Sequence, residues 1–163
     1  MLVKILFSAL FSFVVYILLV GSLGLDEAVI GLVIALIVGI ATREILVQDE
    51  RKVLNIKGWG QFIWYAIVYI FYYEVSAHWA VVKLIFTMKI KPGIVRVPYH
   101  TISDYGTISV GNSITNTPGT VVIDIDEERG YYYVHWIYVT SPDEETCFKS
   151  ICEPFEKHVR RFL

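Results

Sequence analysis

The sequence predicts a two-part protein, a membrane α-helical N-terminal region followed by a small α+β domain. Three observations carry that prediction. The chain of 163 residues is 55% hydrophobic with a mean hydropathy of +0.55, more apolar than a soluble domain of this length. Its apolar residues are concentrated in long uncharged runs before Lys89. Beyond Pro92-Gly93 the pattern changes to short alternating strands and an amphipathic helix, the marks of a water-facing fold. The net charge is only −2 and no basic stripe is interleaved with aromatics, which excludes nucleic acid as a partner.

The first run, Ile5 to Leu25, holds 21 uncharged residues, enough for a helix to cross about 30 Å of hydrocarbon. It is longer than the core of a signal peptide, and Ser22-Leu23-Gly24 is a poor cleavage site, so it reads as a retained span. Asp26 and Glu27 open a second run, Ala28 to Thr42, whose 15 uncharged residues make only about 22 Å of helix. A span that short needs a locally thinned bilayer or protein neighbours. Ser8 and Ser12 in the first run, and Gly31, Ala35 and Gly39 in the second, recur every four residues. Such smooth faces allow close helix approach and are expected to pack against partner proteins or against each other.

Arg43 to Lys57 is polar and carries Arg43, Arg51, Lys52 and Lys57, which places it on the cytoplasmic side by the positive-inside rule. The third run, Trp59 to Met88, is about 45 Å long as a helix but contains Glu74, His78 and Lys83. Crossing the membrane would put this loop and the basic group Lys83, Lys89, Lys91 and Arg96 on opposite sides. Two spans followed by a long aromatic helix at the cytoplasmic interface, or held against partners, are therefore favoured over three spans. The resulting divisions are residues 1–58, 59–91 and 92–163, the last a cytoplasmic domain.

In that domain Ile94 to Tyr99 reads as a strand. Ile102, Tyr105 and Ile108 recur at helical spacing, giving a helix from Ser103 to Asn116. The alternation of "TVVIDID" puts Val121, Ile123 and Ile125 on one face, and with "YYYVHWIYVT" it makes a hairpin over Thr120 to Thr140. Ser141-Pro142-Asp143-Glu144 reads as an N-cap serine, first-turn proline and capping-box glutamate. It starts a helix whose stripe is Phe148, Ile151, Cys152, Phe155, Val159 and Phe162. The order β-α-β-β-α gives a ferredoxin-like α+β sheet backed by helices. Cys147 and Cys152 lie on one helix, point to different sides and read as reduced thiols.

Asn112, Ser113, Thr115, Thr117, Pro118 and Gly119 crowd one corner. Thr117 before proline leaves the helical region, Pro118 lacks an amide hydrogen and Gly119 tolerates a sharp bend. The segment therefore ends a helix and launches a strand, and it lacks the successive glycines of a phosphate cradle. His100, His135 and His158 fall in no nucleophile motif, and no Cys/His spacing suggests zinc, so no active site, cofactor or metal is expected. The sharpest candidate is Glu74 with His78 four residues on, and Lys83 beyond, a constellation able to pass a proton along an ion path.

"KPGIV" (Lys91 to Val95), Ser103-Asp104, "NSIT" (Asn112 to Thr115), "TPGT" (Thr117 to Thr120), the "VVIDID" strand and "YVH" (Tyr133 to His135) together resemble the E-type subunit of the multisubunit Mrp-type sodium/proton antiporters. That family also occurs as a module of membrane-bound hydrogenase and sulfane reductase complexes. Val110-Gly111 and Asn116 depart from the Leu-Ala and leucine usual before the two motifs. The resemblance implies a noncatalytic component that helps assemble a complex coupling Na+ and H+ movement, with the other subunits and the lipid bilayer as partners. It also implies a multi-pass protein of the cell membrane with a cytoplasmic C-terminal domain. The alternative is a free-standing membrane-anchored domain that binds a ligand or peptide at its sheet.

Overall fold

Helix α1 (Leu2–Val20) stops at Gly21, whose left-handed backbone (φ 68°) turns its N–H onto the Ile17 carbonyl at 2.9 Å. Residues with a Cβ rarely adopt that conformation, so this glycine ends the helix short of the expected Leu25. The computed structural model describes residues 1–101 and 103–163. Helix α2 (Leu25–Leu46) runs well past the uncharged stretch on both sides. Asp26 and Glu27 occupy its first turn and Arg43 its last, where their charges oppose the partial charges of the helix ends and so extend the helix. At 22 residues it is about 33 Å long, while the uncharged stretch between Glu27 and Arg43 remains 15 residues. Both helices are long and apolar enough to cross a membrane.

Packing divides the chain into two compact units, Met1–Ile56 and Lys57–Leu163. The first is the α1–α2 hairpin followed by the short turn α3 (Glu50–Val53), which Asp49 caps by accepting the Arg51 N–H at 2.9 Å. The boundary falls next to the compositional one at residue 58, whereas Pro92 lies inside the second unit. The reason is that the aromatic helix packs with the residues that follow it. That helix is α4 (Ile56–Val68), a π-helical turn (Tyr69–Glu74) and α5 (Val75–Thr87).

A three-stranded antiparallel sheet forms the centre of the second unit, with β1 (Gly93–Pro98), β2 (Thr120–Asp126) and β3 (Tyr131–Trp136) in the order β1-β3-β2. Val95, Val97, Tyr132 and Val134 point to the buried side, against α6 (Asp104–Asn116) and a C-terminal rod. The rod is α7 (Glu144–Cys147), a second π-turn (Phe148–Cys152) and α8 (Glu153–Val159). Its stripe Ile151, Cys152, Phe155 and Val159 is buried as expected, with Phe148 and Phe162 at the edges.

Three expectations are corrected here. A register shift between Val122 and Asp124 breaks the alternation of β2, so Val122 and Ile125 face the core while Val121 and Ile123 are exposed. A bulge adds one unpaired residue and so reverses the facing of what lies beyond it. Helix α6 buries Thr107, Val110, Gly111 and Ile114, not the stripe through Tyr105 and Ile108, and Ile108 is exposed. Ile102 of that stripe lies outside the described residues. The cap of α7 is Asp143, whose carboxylate accepts the Thr146 N–H at 3.0 Å, while Ser141 accepts the N–H of Asp143 itself. Pro142 therefore stands before the helix and not in its first turn.

Candidate functional site

The small residues of the two spans face each other. Ser8, Ala9, Gly31, Ala35 and Gly39 are all buried, and Ser12 is half-buried. A Cβ on Gly39 would lie 2.7 Å from the Ala9 backbone nitrogen, and one on Gly31 would lie 2.5 Å from the Tyr16 ring. The helices approach so closely that only glycine fits, and the dispersion gained holds the hairpin shut. Within the chain, this stripe packs the two helices against each other.

In the second unit, the Asn112–Gly119 corner is a docking point for the aromatic helix. Ser113 is buried, and its hydroxyl meets Tyr65 Oη at 2.6 Å while donating to the Ser109 carbonyl at 2.8 Å. Tyr69 Oη donates to the Ser113 carbonyl at 3.2 Å and lies 3.3 Å from Thr117 Oγ1. Tyr73 Oη donates to the Pro154 carbonyl at 3.2 Å, and its ring packs edge-on to Phe155. His158 stacks on Tyr65 at 5.4 Å. Tyrosines at four-residue spacing drift about 40° per step around an α-helix. The wider turn at Tyr69–Glu74 takes up that drift and keeps all three on one face.

The remaining residues of the corner secure the turn. Thr115 Oγ1 accepts the Val122 N–H at 3.2 Å, and Thr120 Oγ1 donates to the Ile114 carbonyl at 2.7 Å. Gly119 has φ 98°, and a Cβ there would meet Ile137 Cγ2 at 3.1 Å. Asn112 is exposed.

Glu74 and His78 are brought together. His78 Nδ1 lies 2.8 Å from the Glu74 carbonyl oxygen and 3.5 Å from Glu74 Oε2. His78 is exposed, whereas Glu74 Oε1 is buried with no hydrogen-bond partner. Lys83 is not part of this pair. Its ammonium sits 5.7 Å from the Trp79 ring centre. Among the described residues no group of three His, Cys, Asp or Glu side chains is placed to hold a metal.

Sequence reasoning missed one buried acid. Glu156 is 2% exposed and its carboxylate accepts the His100 N–H at 3.0 and 3.2 Å. Cys152 Sγ donates to it at 3.4 Å, and burial together with that carboxylate pushes the Cys152 thiol pKa up. The thiol is therefore inert. Glu156 lies four residues after Cys152 on the apolar stripe, and that position was the available signal.

A family model described as Na+/H+ ion antiporter subunit (MNHE) matches residues 9–162. The chain belongs to this antiporter-subunit family. Among its relatives, the Na(+)/H(+) antiporter E subunit of Alkalihalophilus pseudofirmus is 31% identical over 114 residues, covering 67% of this chain and 71% of that one. The corresponding E1 subunit of Staphylococcus aureus is 37% identical over 101 residues, covering 58% of this chain and 60% of that one. A solved chain from the membrane-bound sulfane sulfur reductase, an archaeal respiratory membrane complex, superposes with a TM-score of 0.83 at 30% identity, covering 98% of this chain and 99% of that chain. In this antiporter-subunit chain the family model thus spans both the glycine-closed hairpin and the tyrosine-docked unit.

Proposed function

We propose that the protein is a noncatalytic membrane component that helps assemble and stabilise a Na+/H+ antiporter module. In this reading α1 and α2 span the bilayer, the Lys57–Leu163 unit lies on the cytoplasmic side, and the partners are other subunits of an antiporter or respiratory-type complex. One observation supports it above the others. Every charged side chain of the two spans sits in a terminal turn: Lys4 near the start of α1, Asp26 and Glu27 at the start of α2, and Arg43 and Glu44 at its end. An ion path through hydrocarbon draws on ionised groups at depth, and between its terminal turns this hairpin carries no charge and only the hydroxyls of Ser8, Ser12, Tyr16 and Thr42.

The second unit is read as a ferredoxin-like domain without a fourth strand among the described residues. Support comes from β3 lying antiparallel between β1 and β2, the split arrangement of that fold. Glu74 and His78 are read as a local helix pair outside the ion path, since His78 faces outward and Lys83 points elsewhere.

The test is antiport in membrane vesicles from cells making the whole complex, with assembly followed by native mass spectrometry. Glu74→Ala and His78→Ala leave transport close to that of the unaltered protein. Loss of antiport by Glu74→Ala in an intact complex overturns the reading. So does recovery of the chain free of every other subunit after gentle extraction from cells that make the whole complex.

A further inference from the structure

Between α5 and the end of β3 lies an open groove of about 410 Å³ that none of the contacts above occupies. Its walls are Trp79 and Leu84 on the helix and Trp136 and Tyr138 on the sheet side, with the Pro118-Gly119 turn at its floor. Lys83 lines it, and no acidic side chain does. Lys83 lies over Trp79, and no carboxylate comes within ion-pair distance of its ammonium among the described residues. Two further exposed lysines stand close by. Lys91 donates its N–H to the Ile137 carbonyl at 3.1 Å and accepts from Val139 at 2.9 Å, which fixes it beside the groove wall, and Lys89 precedes it by two residues.

This combination selects a ligand of one kind. The walls are largely apolar and Lys83 is the charged residue among the lining, so the occupant carries an anionic group joined to hydrocarbon. Tryptophan and tyrosine are the side chains that settle at the boundary between headgroups and acyl chains, with the ring in hydrocarbon and the polar edge in water. Trp79 is 62% exposed, a large apolar surface left facing the groove and its surroundings. A free phosphate would satisfy the lysines and leave the tryptophans bare, while a neutral lipid would do the reverse.

We propose that this groove seats the headgroup phosphate and first methylenes of an anionic phospholipid, with Lys83 paired to the phosphate and the acyl chain against Trp79. The proposal rests on the chain being membrane-bound but not on its belonging to a transport assembly. The site anchors the second unit to one lipid class.

The test uses the full chain reconstituted in bilayer vesicles, with Trp59→Phe and Trp64→Phe leaving Trp79 and Trp136 as fluorescent reporters. Equimolar phosphatidylglycerol and phosphatidylcholine are used, with bromine on the acyl chains of one lipid or the other. Brominated phosphatidylglycerol quenches the reporters more strongly than brominated phosphatidylcholine. Lys83→Gln reduces that preference by about fivefold, the share of one lysine at an anionic surface, and Lys83→Arg restores it. Equal quenching by the two lipids overturns the proposal while leaving membrane attachment standing. A preference unchanged in Lys83→Gln, or one abolished by inorganic phosphate at constant ionic strength, overturns it as well.

Discussion

Tyr65 Oη and Ser113 Oγ lie 2.6 Å apart across 48 residues of sequence, joining the aromatic helix to the end of α6. The tyrosine is buried there with its ring stacked on His158. Its two parts contribute unequally. Tyr65→Phe removes one hydrogen bond, and because Ser113 keeps its bond to the Ser109 carbonyl the loss is about 1 kcal/mol. Tyr65→Ala also empties a ring-sized cavity and costs about 3–5 kcal/mol. Thermal unfolding of the detergent-solubilised chain separates the two, and equal losses contradict this division.

Two glycines on apolar helices are expected to respond in opposite directions. Gly39→Val drives side-chain atoms into the Ala9 backbone and loosens the hairpin by at least about 1–3 kcal/mol. Gly60, in the middle of α4, has nothing within 4 Å of its would-be Cβ, so Gly60→Ala gains about 0.5–1 kcal/mol from helix propensity. Cross-linking of cysteines placed across α1 and α2 reports the first, and the thermal midpoint reports the second.

Removing the buried carboxylate of Glu156 leaves the His100 N–H without its acceptor. Glu156→Ala therefore costs about 1–3 kcal/mol, and Glu156→Gln recovers only part because an amide offers one acceptor oxygen in place of two. A Glu156→Ala midpoint equal to that of the unaltered chain would rule out this role for the acid.

His158 makes the docking sensitive to acid. Burial, and then the charges of Arg161 and Lys157, lower its pKa below the ordinary 6.5. The unfolded chain takes up the proton first, so the contribution of His158 to stability is complete above 6.5 and is lost as pH falls towards the lower, folded value. The thermal midpoint should fall in mild acid, and His158→Gln should flatten that fall. A variant with the same slope contradicts the assignment.

What the sequence revealed depended on how local each cause is. The extent of α6, expected over Ser103 to Asn116 and found over Asp104–Asn116, and the stripe of the C-terminal rod are local in origin, whereas the capping of α6 by Ser103 through the Gly106 N–H at 3.1 Å was not read. The small-residue faces were legible as faces, but whether α1 and α2 would close on each other is a tertiary fact. Tyr65, Tyr69 and Tyr73 went unread, because their four-residue spacing becomes one face only through the π-turn that aligns them with Ser113, Thr117 and Pro154. The bulge in β2 escaped because period-two reading has no term for an extra residue. Glu156 escaped because an acid on an apolar stripe reads as a flaw until its partner on a distant loop is known.

The glycine seam of the hairpin also limits how the chain can be told apart from its neighbours in a bilayer. With its smooth surface spent inwardly, the hairpin shows its surroundings a coat of leucine, isoleucine and valine such as Leu10, Leu18, Val29 and Ile37, chemically close to the lipid tails themselves. Whatever distinguishes this chain from any other greasy pair of rods must be written at the hairpin's ends or on the unit beyond Lys57.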